Sequence, residues 1–436
     1  MKKLLLSLVL LLAAVFAFAQ NNGTRLEMFL DRADGRFGLH EPVLVSVRAD
    51  KEQEWNMTLT VNGIRGESDR VRLVEGMQLV LSESYDEPTA VIVSLSDPSN
   101  PGDRYEIGYI VAAEEFRPGF DAPRDLRRYW KKEIRAMRRE KMEVKLTPVP
   151  LEGEDALKFE CWDVELSCGA SGYPVRGYLA KPRGAAPGSL PAVLFTRAAG
   201  VAGDWCRSHV SQALQCAGWG GGAIALDINA LGMENGREEA YYKALEEGEY
   251  KNYSRREIVD RESYFFRGMF LRAVRALDFL LEDPAWDGKR VMTMGESQGG
   301  AQAGALAGLD KRVGAAVLTV PAMVDIGGYK AGRRSGWPQP HEDYPENTAV
   351  DAVAPYFDVA QLLRGSKAEI CVEIGLIDMT CPAPGVFAGM SGVKGPVQVL
   401  TFPYRPHHEP SNRKLHDEWR KAVYTQRMNF INDYLK

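Results

Sequence analysis

The stretch Lys289-Arg290-Val291-Met292-Thr293-Met294-Gly295-Glu296-Ser297-Gln298-Gly299-Gly300, running into the small-residue segment Ala301 to Leu309, decides the fold. An apolar strand drops through Gly-x-Ser-x-Gly straight into an alanine-rich helix, the sequence form of a nucleophile elbow, where a strained turn exposes a serine hydroxyl. Gly295 and Gly299 stand two residues either side of Ser297, where a Cβ would collide as strand and helix approach. Gly-x-Ser-x-Gly alone occurs in many unrelated chains. The strand before it, the small-residue helix after it and the acid and base candidates downstream make the reading catalytic.

Around the elbow, from about Lys145 onward, strands alternate with helices, which predicts a mostly parallel sheet covered on both faces. A hairpin, Leu157 to Leu166 with Val175 to Ala180, comes first. The buried strand Ala192 to Thr196 follows, and then the small-residue loop Arg197 to Trp205. Such a loop supplies a second oxyanion donor from a backbone N–H, here assigned to Ala199, beside the N–H of Gln298. A helix around Ser208 to Ala217 leads to the strand Ala223 to Asn229. The tyrosine- and glutamate-rich stretch Glu234 to Glu262 reads either as an excursion over the site or as plain helix and loop. Gly268 to Leu281 is predicted as an amphipathic helix feeding the elbow strand. After the elbow come the strand Val313 to Val320, an aperiodic loop from Gly327 to Ala354, and two strand–loop units ending near Asp378 and at His407-His408-Glu409.

A serine hydroxyl needs a base within hydrogen-bond reach, and that base needs a carboxylate to hold its tautomer. Asp378 and one of His407 and His408, on loops after successive late strands, fit those roles. Walls close to the serine favour a small acyl group, and Trp205, the Trp337 loop and Pro382 to Phe387 are the candidates, with room left at Ala198 and Ala199. No metal-ligand cluster is evident, and neither a metal nor a cofactor is expected.

The chain of 436 residues is long enough for two domains, and 45% hydrophobic content suffices for substantial cores. From Arg25 to about Val111, alternation at Val43/Val45/Val47, Met57/Leu59/Val61, Leu79/Leu81, Val91/Val93/Leu95 and Ile107/Tyr109/Val111 predicts six or seven short strands. Turn signals at Asn62-Gly63, Glu75-Gly76 and Asp97-Pro98 separate them, as in a small immunoglobulin-like β-sandwich. No chemistry-bearing motif lies there. The region reads first as a structural piece shaping one side of the site or an oligomer contact, with carbohydrate binding as the alternative. A helix capped by Asp121, with Leu126, Trp130, Ile134 and Met137 on one face, joins the two parts. The expected boundaries are 20–115 for the sandwich, 116–145 for the linking helix and 146–436 for the catalytic part.

Residues 1–19 read as a secretory signal: Lys2 and Lys3, an apolar run from Leu4 to Phe16, then Ala17-Phe18-Ala19. Its removal would take two lysines and shift the formal charge from −5 to −7. That mild acidity gives no electrostatic case for a nucleic-acid or anionic-membrane partner. An exported, periplasmic or secreted protein follows. The six cysteines lack zinc spacing; Cys161 and Cys168 could pair across a hairpin, or all six could be buried free thiols.

The residues Gly295-Glu296-Ser297-Gln298-Gly299-Gly300, Gly375-Leu376-Ile377-Asp378 with Cys381-Pro382, and His408-Glu409 resemble the landmarks of the acetylxylan esterase / cephalosporin C deacetylase family of α/β-hydrolases. Phe266 to Leu280 and Tyr356-Phe357-Asp358 are also similar, so the resemblance spans about Leu146 to the C-terminus. It implies a metal-independent serine esterase acting on acetylated oligo- or polysaccharides or small acetyl esters, often as a homo-oligomer. In that family the base directly precedes Glu, which selects His408. Two departures stand out: Ala230-Leu231-Gly232 replaces the family's Arg-Gly-Gln, and Ala199 falls where an aromatic residue is usual. A peptidase of the prolyl-oligopeptidase kind is the competing enzyme reading, but it calls for a β-propeller that fewer than a hundred N-terminal residues cannot build. A carbohydrate-binding protein on an inactive scaffold is the non-enzymatic alternative.

Overall fold

The computed structural model describes residues 25–345 and 347–436; the export signal expected over 1–19 lies outside them. Eight strands form first: β1 (Leu26–Leu30), β2 (Arg36–Phe37), β3 (Val43–Ala49), β4 (Gln53–Val61), β5 (Ile64–Leu73), β6 (Gly76–Glu83), β7 (Thr89–Ser96) and β8 (Arg104–Val111). They make a three-stranded sheet, β1-β3-β6, and a five-stranded one, β2-β8-β7-β4-β5. Val43, Val45, Val47, Val93, Leu95 and Ile107 are buried between them, as the alternation requires. Asn62 and Gly63 both take positive φ, 52° and 79°, matching the twist of the β4–β5 hairpin.

Two details depart from the sequence reading. Strand β5, Ile-Arg-Gly-Glu-Ser-Asp-Arg-Val-Arg-Leu, was not anticipated because an edge strand needs only backbone pairing with β4, and nearly all its side chains face solvent. A bulge in the β3–β6 pairing, between Val45 and Ser46, breaks the Leu79/Leu81 alternation, so Leu81 is buried and Leu79 is exposed.

The linking helix α1 spans Leu126–Arg139, with Asp125 rather than Asp121 at its N-cap. Leu126, Trp130, Ile134 and Met137 are all buried, as their spacing predicts. Trp130 Nε1 donates to the Tyr356 carbonyl at 2.9 Å, and its ring packs on Phe270 and Phe357.

Nine further strands build the main sheet: β9 (Val144–Pro148), β10 (Phe159–Leu166), β11 (Val175–Pro182), β12 (Leu190–Thr196), β13 (Ile224–Ile228), β14 (Trp286–Glu296), β15 (Ala315–Thr319), β16 (Glu369–Gly375) and β17 (Val397–Phe402). Their order is β17-β16-β15-β14-β12-β13-β11-β10-β9. The six from β17 to β13 run parallel, and the β9–β10–β11 end is antiparallel. Burial of both faces explains the near-continuous apolar runs in β12 to β16.

Helix α2 (Phe265–Leu280) feeds β14, and α3 (Gln298–Leu309) follows it. The predicted amphipathic pattern of α2 gives way to burial almost all round, because α1 covers the side away from the sheet. On the opposite face, the core of the sandwich runs without a break into Leu400, Phe402, Tyr404, Trp419 and Leu435. No described helix is long and apolar enough to cross a membrane. All six cysteines are buried and free, so Cys161 and Cys168 do not pair.

Candidate active site

Ser297 sits between β14 and α3 with φ 55° and ψ −121°, a conformation a non-glycine residue adopts only when its surroundings over-determine it. Those surroundings are backbone. Its N–H donates to the Thr319 carbonyl at 3.0 Å, and its own carbonyl accepts from the N–H groups of Ala301 and Ala322. A Cβ on Gly299 would lie 2.1 Å from the Thr196 carbonyl oxygen, and one on Gly295 would lie 2.5 Å from that same oxygen. This is the physical reason for the Gly-x-Ser-x-Gly spacing. Thr196 Oγ1 adds hydrogen bonds to the carbonyls of Met294 and Gly299 at 3.1 and 2.7 Å.

Asp378 lies just past β16 and is buried. Its Oδ1 accepts from the N–H groups of Thr380 and Cys381, both at 2.8 Å, and its Oδ2 stands 2.8 Å from Nδ1 of His407. The other ring nitrogen, Nε2, is 2.9 Å from Ser297 Oγ. The structure therefore corrects the choice of His408: the imidazole joined to both Ser297 and Asp378 is His407.

The reason lies two residues earlier. Arg405 is fully buried, its guanidinium paired with Glu373 and, at 3.3 Å, with Glu296. With Arg405 turned under the elbow, His407 comes to stand against Ser297 and Asp378, and His408 is left exposed on the cleft rim with its ring 5.5 Å from that of His407. Burial pulls the Arg405 guanidinium down to about 10, still charged at neutral pH. Glu373 also accepts from Trp419 Nε1 and Arg427 Nη1, each at 2.6 Å.

The Asp378 and His407 loops are braced from the sandwich. Gly108 in β8 donates its N–H to the Pro403 carbonyl at 2.8 Å, and a Cβ there would meet the Leu376 carbonyl oxygen at 2.1 Å. Thr401 Oγ1 donates to the Asp34 carbonyl at 2.7 Å. Arg334 spans both parts: its N–H donates to the Asn62 carbonyl and its Nε to the Met379 carbonyl, each at 2.9 Å.

Ala199 lines the cleft beside Ser297, and Gln298 follows Ser297 at the buried start of α3. Among the described residues, no carbonyl or side chain accepts from the N–H of Gln298 or of Ala199. Ser297 and His407 open into a cleft of about 590 Å³ whose other walls include Trp205, Trp337, Gln212, Glu296, His408 and Glu409. Trp205 is 64% exposed, yet its Nε1 is fixed to the Ala199 carbonyl at 2.8 Å. Trp337 is held between Met323 and Thr380 by backbone hydrogen bonds. Pro382 to Phe387, expected as a third wall, instead turns into a buried helix that does not reach the cleft.

In place of Arg-Gly-Gln, Asn229 orders the loop after β13. Its Oδ1 accepts from Ser208 N–H at 2.6 Å, and its Nδ2 donates to Met233 O and Asn235 Oδ1. The stretch Glu234 to Glu262 is mostly exposed helix and loop, with Tyr242, Tyr250 and Tyr253 buried. It brings to the site Tyr253, a residue the sequence reading did not single out.

Asp378, Cys381 and His407 offer three potential ligand atoms within 4.8 Å of one another. Both His407 nitrogens are already engaged, and burial pushes the Cys381 thiol well above its ordinary range, so the donor set suits proton transfer better than metal binding. Behind the Trp337 loop a pair of aspartates, Asp325 and Asp358, is buried. Asp325 accepts from Gly119 N–H and Arg333 Nε, and Asp358 Oδ1 accepts from the N–H groups of Asp325 and Ala360. Burial, aided by the neighbouring Asp325 charge, pushes the Asp358 carboxyl up to about 7.

Compared with known families, residues 111–329 match Acetyl xylan esterase (AXE1), half of the chain. The chain belongs to the acetyl xylan esterase family. As a member it is a carboxylic ester hydrolase. Acetyl esterase Axe7A of Xylanibacter ruminicola is 27% identical over 347 residues, 78% of this chain and 75% of that one. Among solved structures, the acetyl xylan esterase from Paenibacillus sp. R4 superposes with a TM-score of 0.60 at 25% identity, covering 74% of this chain and 98% of its own. Acetyl xylan esterase 1 from Thermoanaerobacterium sp. JW/SL YS485 gives 0.57 at 22% identity, covering 73% and 97%, and supports the fold. Residues 272–436 also match the prolyl oligopeptidase family. That span holds the elbow, Asp378 and His407; the N-terminal strands, however, form a two-sheet sandwich rather than a propeller.

Proposed function

We propose that this member of the family removes acetyl groups from sugar hydroxyls through an acyl-enzyme on Ser297. The observation that carries the reading is the single imidazole, His407, within 2.9 Å of Ser297 Oγ and 2.8 Å of Asp378 Oδ2. Ser297 Oγ attacks the acetyl carbonyl carbon while His407 Nε2 takes the hydroxyl proton, and Asp378 keeps the other ring proton on Nδ1. The carbonyl oxygen becomes an oxyanion that accepts from the N–H groups of Gln298 and Ala199. Collapse of this intermediate breaks the ester bond. The sugar oxygen leaves with the proton returned by His407, and the acetyl group stays on Ser297. Water then repeats the sequence, with His407 taking its proton, and acetate is released.

The rim supports a sugar as leaving group: Trp205 presents an exposed aromatic face, and Gln212, Glu296 and Glu409 present hydrogen-bonding groups. The reading of residues 1–19 supports action outside the cytoplasm. Acetate release from acetylated xylo-oligosaccharides, other acetylated sugars and cephalosporin C tests the substrate class. Release from none of these, together with cleavage of peptides, would move the protein to the peptidase reading favoured by the match over 272–436. Across acetyl, propionyl, butyryl and octanoyl esters of one leaving group, kcat/KM is expected to be highest for acetyl; a maximum at octanoyl would refute the deacetylase reading.

A further inference from the structure

Ala199 sits in a run of small residues, Ala198-Ala199-Gly200, with no bulky side chain of its own to fix it. Gly200 takes a φ of 135°, open to glycine and strained for other residues. An oxyanion donor on such a loop has to be held from outside, because a donor is useful only if it already points at the place where charge will develop. The peptide unit joining Ala199 and Gly200 is held at both ends. Its carbonyl accepts from Trp205 Nε1 at 2.8 Å, and its N–H donates to the Tyr253 hydroxyl at 3.3 Å. The same hydroxyl donates its proton to Gln298 Oε1 at 2.8 Å. One buried oxygen thus accepts from the loop that carries one expected oxyanion donor and donates to the side chain of the residue that carries the other. The Tyr253 ring is wedged between Phe265, with centroids 5.2 Å apart, and Phe266 at 6.3 Å.

We infer that Tyr253 is a positioning residue, tying Ala199 and Gln298 together so that their N–H groups converge on one oxyanion. This rests on the serine-esterase reading above. Tyr253→Phe keeps the ring and removes only the shared oxygen, leaving Gly200 N–H and Gln298 Oε1 without their partner. Loss of an entire oxyanion donor costs about a hundredfold to a thousandfold in kcat, so a misaimed pair should cost about tenfold to a hundredfold.

The test is steady-state hydrolysis of a small acetyl ester by the full-length wild type, Tyr253→Phe, Gln298→Met and the double variant, with a thermal melt of each. The expected result is a fall in kcat for Tyr253→Phe with KM within about twofold, the split that a loss of transition-state stabilisation gives. The double variant should lose no more than the worse single one, the signature of one shared interaction. A Tyr253→Phe variant that keeps more than half of wild-type kcat overturns the inference, as do losses that multiply in the double variant. A lower melting temperature with kcat unchanged also overturns it, because the hydroxyl would then be structural only. If Tyr253→Phe fails to fold, Gln298→Met decides alone: an unchanged kcat there refutes the link. A wild type inactive on acetyl esters would instead overturn the reading on which the inference rests.

Discussion

Ser297 and the pair Asp378–His407 are 2.9 Å apart at their closest, yet they are supported by different regions of the chain. The serine is set by backbone contacts among β12, β14, β15 and α3, where Thr196, Gly295, Gly299 and Thr319 crowd together. The acid and base loops lean on the N-terminal sandwich, through Gly108 against Leu376 and Pro403, and through Arg334 between Asn62 and Met379. The nucleophile is therefore a local property of the main sheet. The loops that carry Asp378 and His407 rest on residues nearly three hundred positions upstream. The sandwich helps hold the relay together, which gives its structural reading a concrete content.

The largest effects should come from the relay itself. Ser297→Ala should lose about ten-thousandfold or more in kcat with its melting temperature little changed, since the turn is held by backbone. Retention of more than a tenth of activity would remove the serine from the mechanism. His407→Ala should lose a comparable amount, while His408→Ala stays within about tenfold of wild type. The opposite order would mean that the loop after β17 rotates by one residue in the working enzyme.

Across the boundary, Gly108→Ala puts a methyl group against the Leu376 carbonyl. The expected cost is about 1–3 kcal/mol of stability and about a tenfold loss of kcat as the acid loop shifts, against almost none for Arg70→Ala on the free edge strand β5. Equal effects of the two would dissolve the distinction between a bracing surface and a free one.

The smallest effect concerns Asp358 behind the Trp337 loop. Its carboxyl is raised to about 7 from an ordinary value near 3.8, so the folded state holds the proton more tightly than the unfolded chain does. Stability from this group is fully present below about pH 4 and is lost as pH rises through about 7. Asp358→Asn, neutral throughout, should gain a few degrees in melting temperature relative to wild type between pH 5 and pH 8. A difference constant with pH would show that the carboxyl is ionised in the fold across that range.

The elbow was readable because strand period, glycine spacing and helix composition are all imposed within a dozen residues. The choice between His407 and His408 was not, because it depends on Arg405 turning inward to Glu373 and on Gly108 pinning Pro403. Both partners are remote in sequence. Tyr253 escaped notice for the same reason: a tyrosine in a polar segment carries no mark of the glutamine 45 residues ahead that it bonds. Strand β5 was hidden for the opposite reason, its pairing being backbone and its side chains free to be charged.

The unbroken core from the sandwich valines to Phe402, Tyr404 and Trp419 has a thermodynamic consequence. Separately packed units melt separately, whereas units sharing one apolar interior expose it together. Calorimetry should then record one endotherm, and the amides of β7 and β16 should exchange with solvent only through the same global opening. A protease cutting between α1 and β9 would find no intermediate in which the catalytic sheet stands while the sandwich is lost.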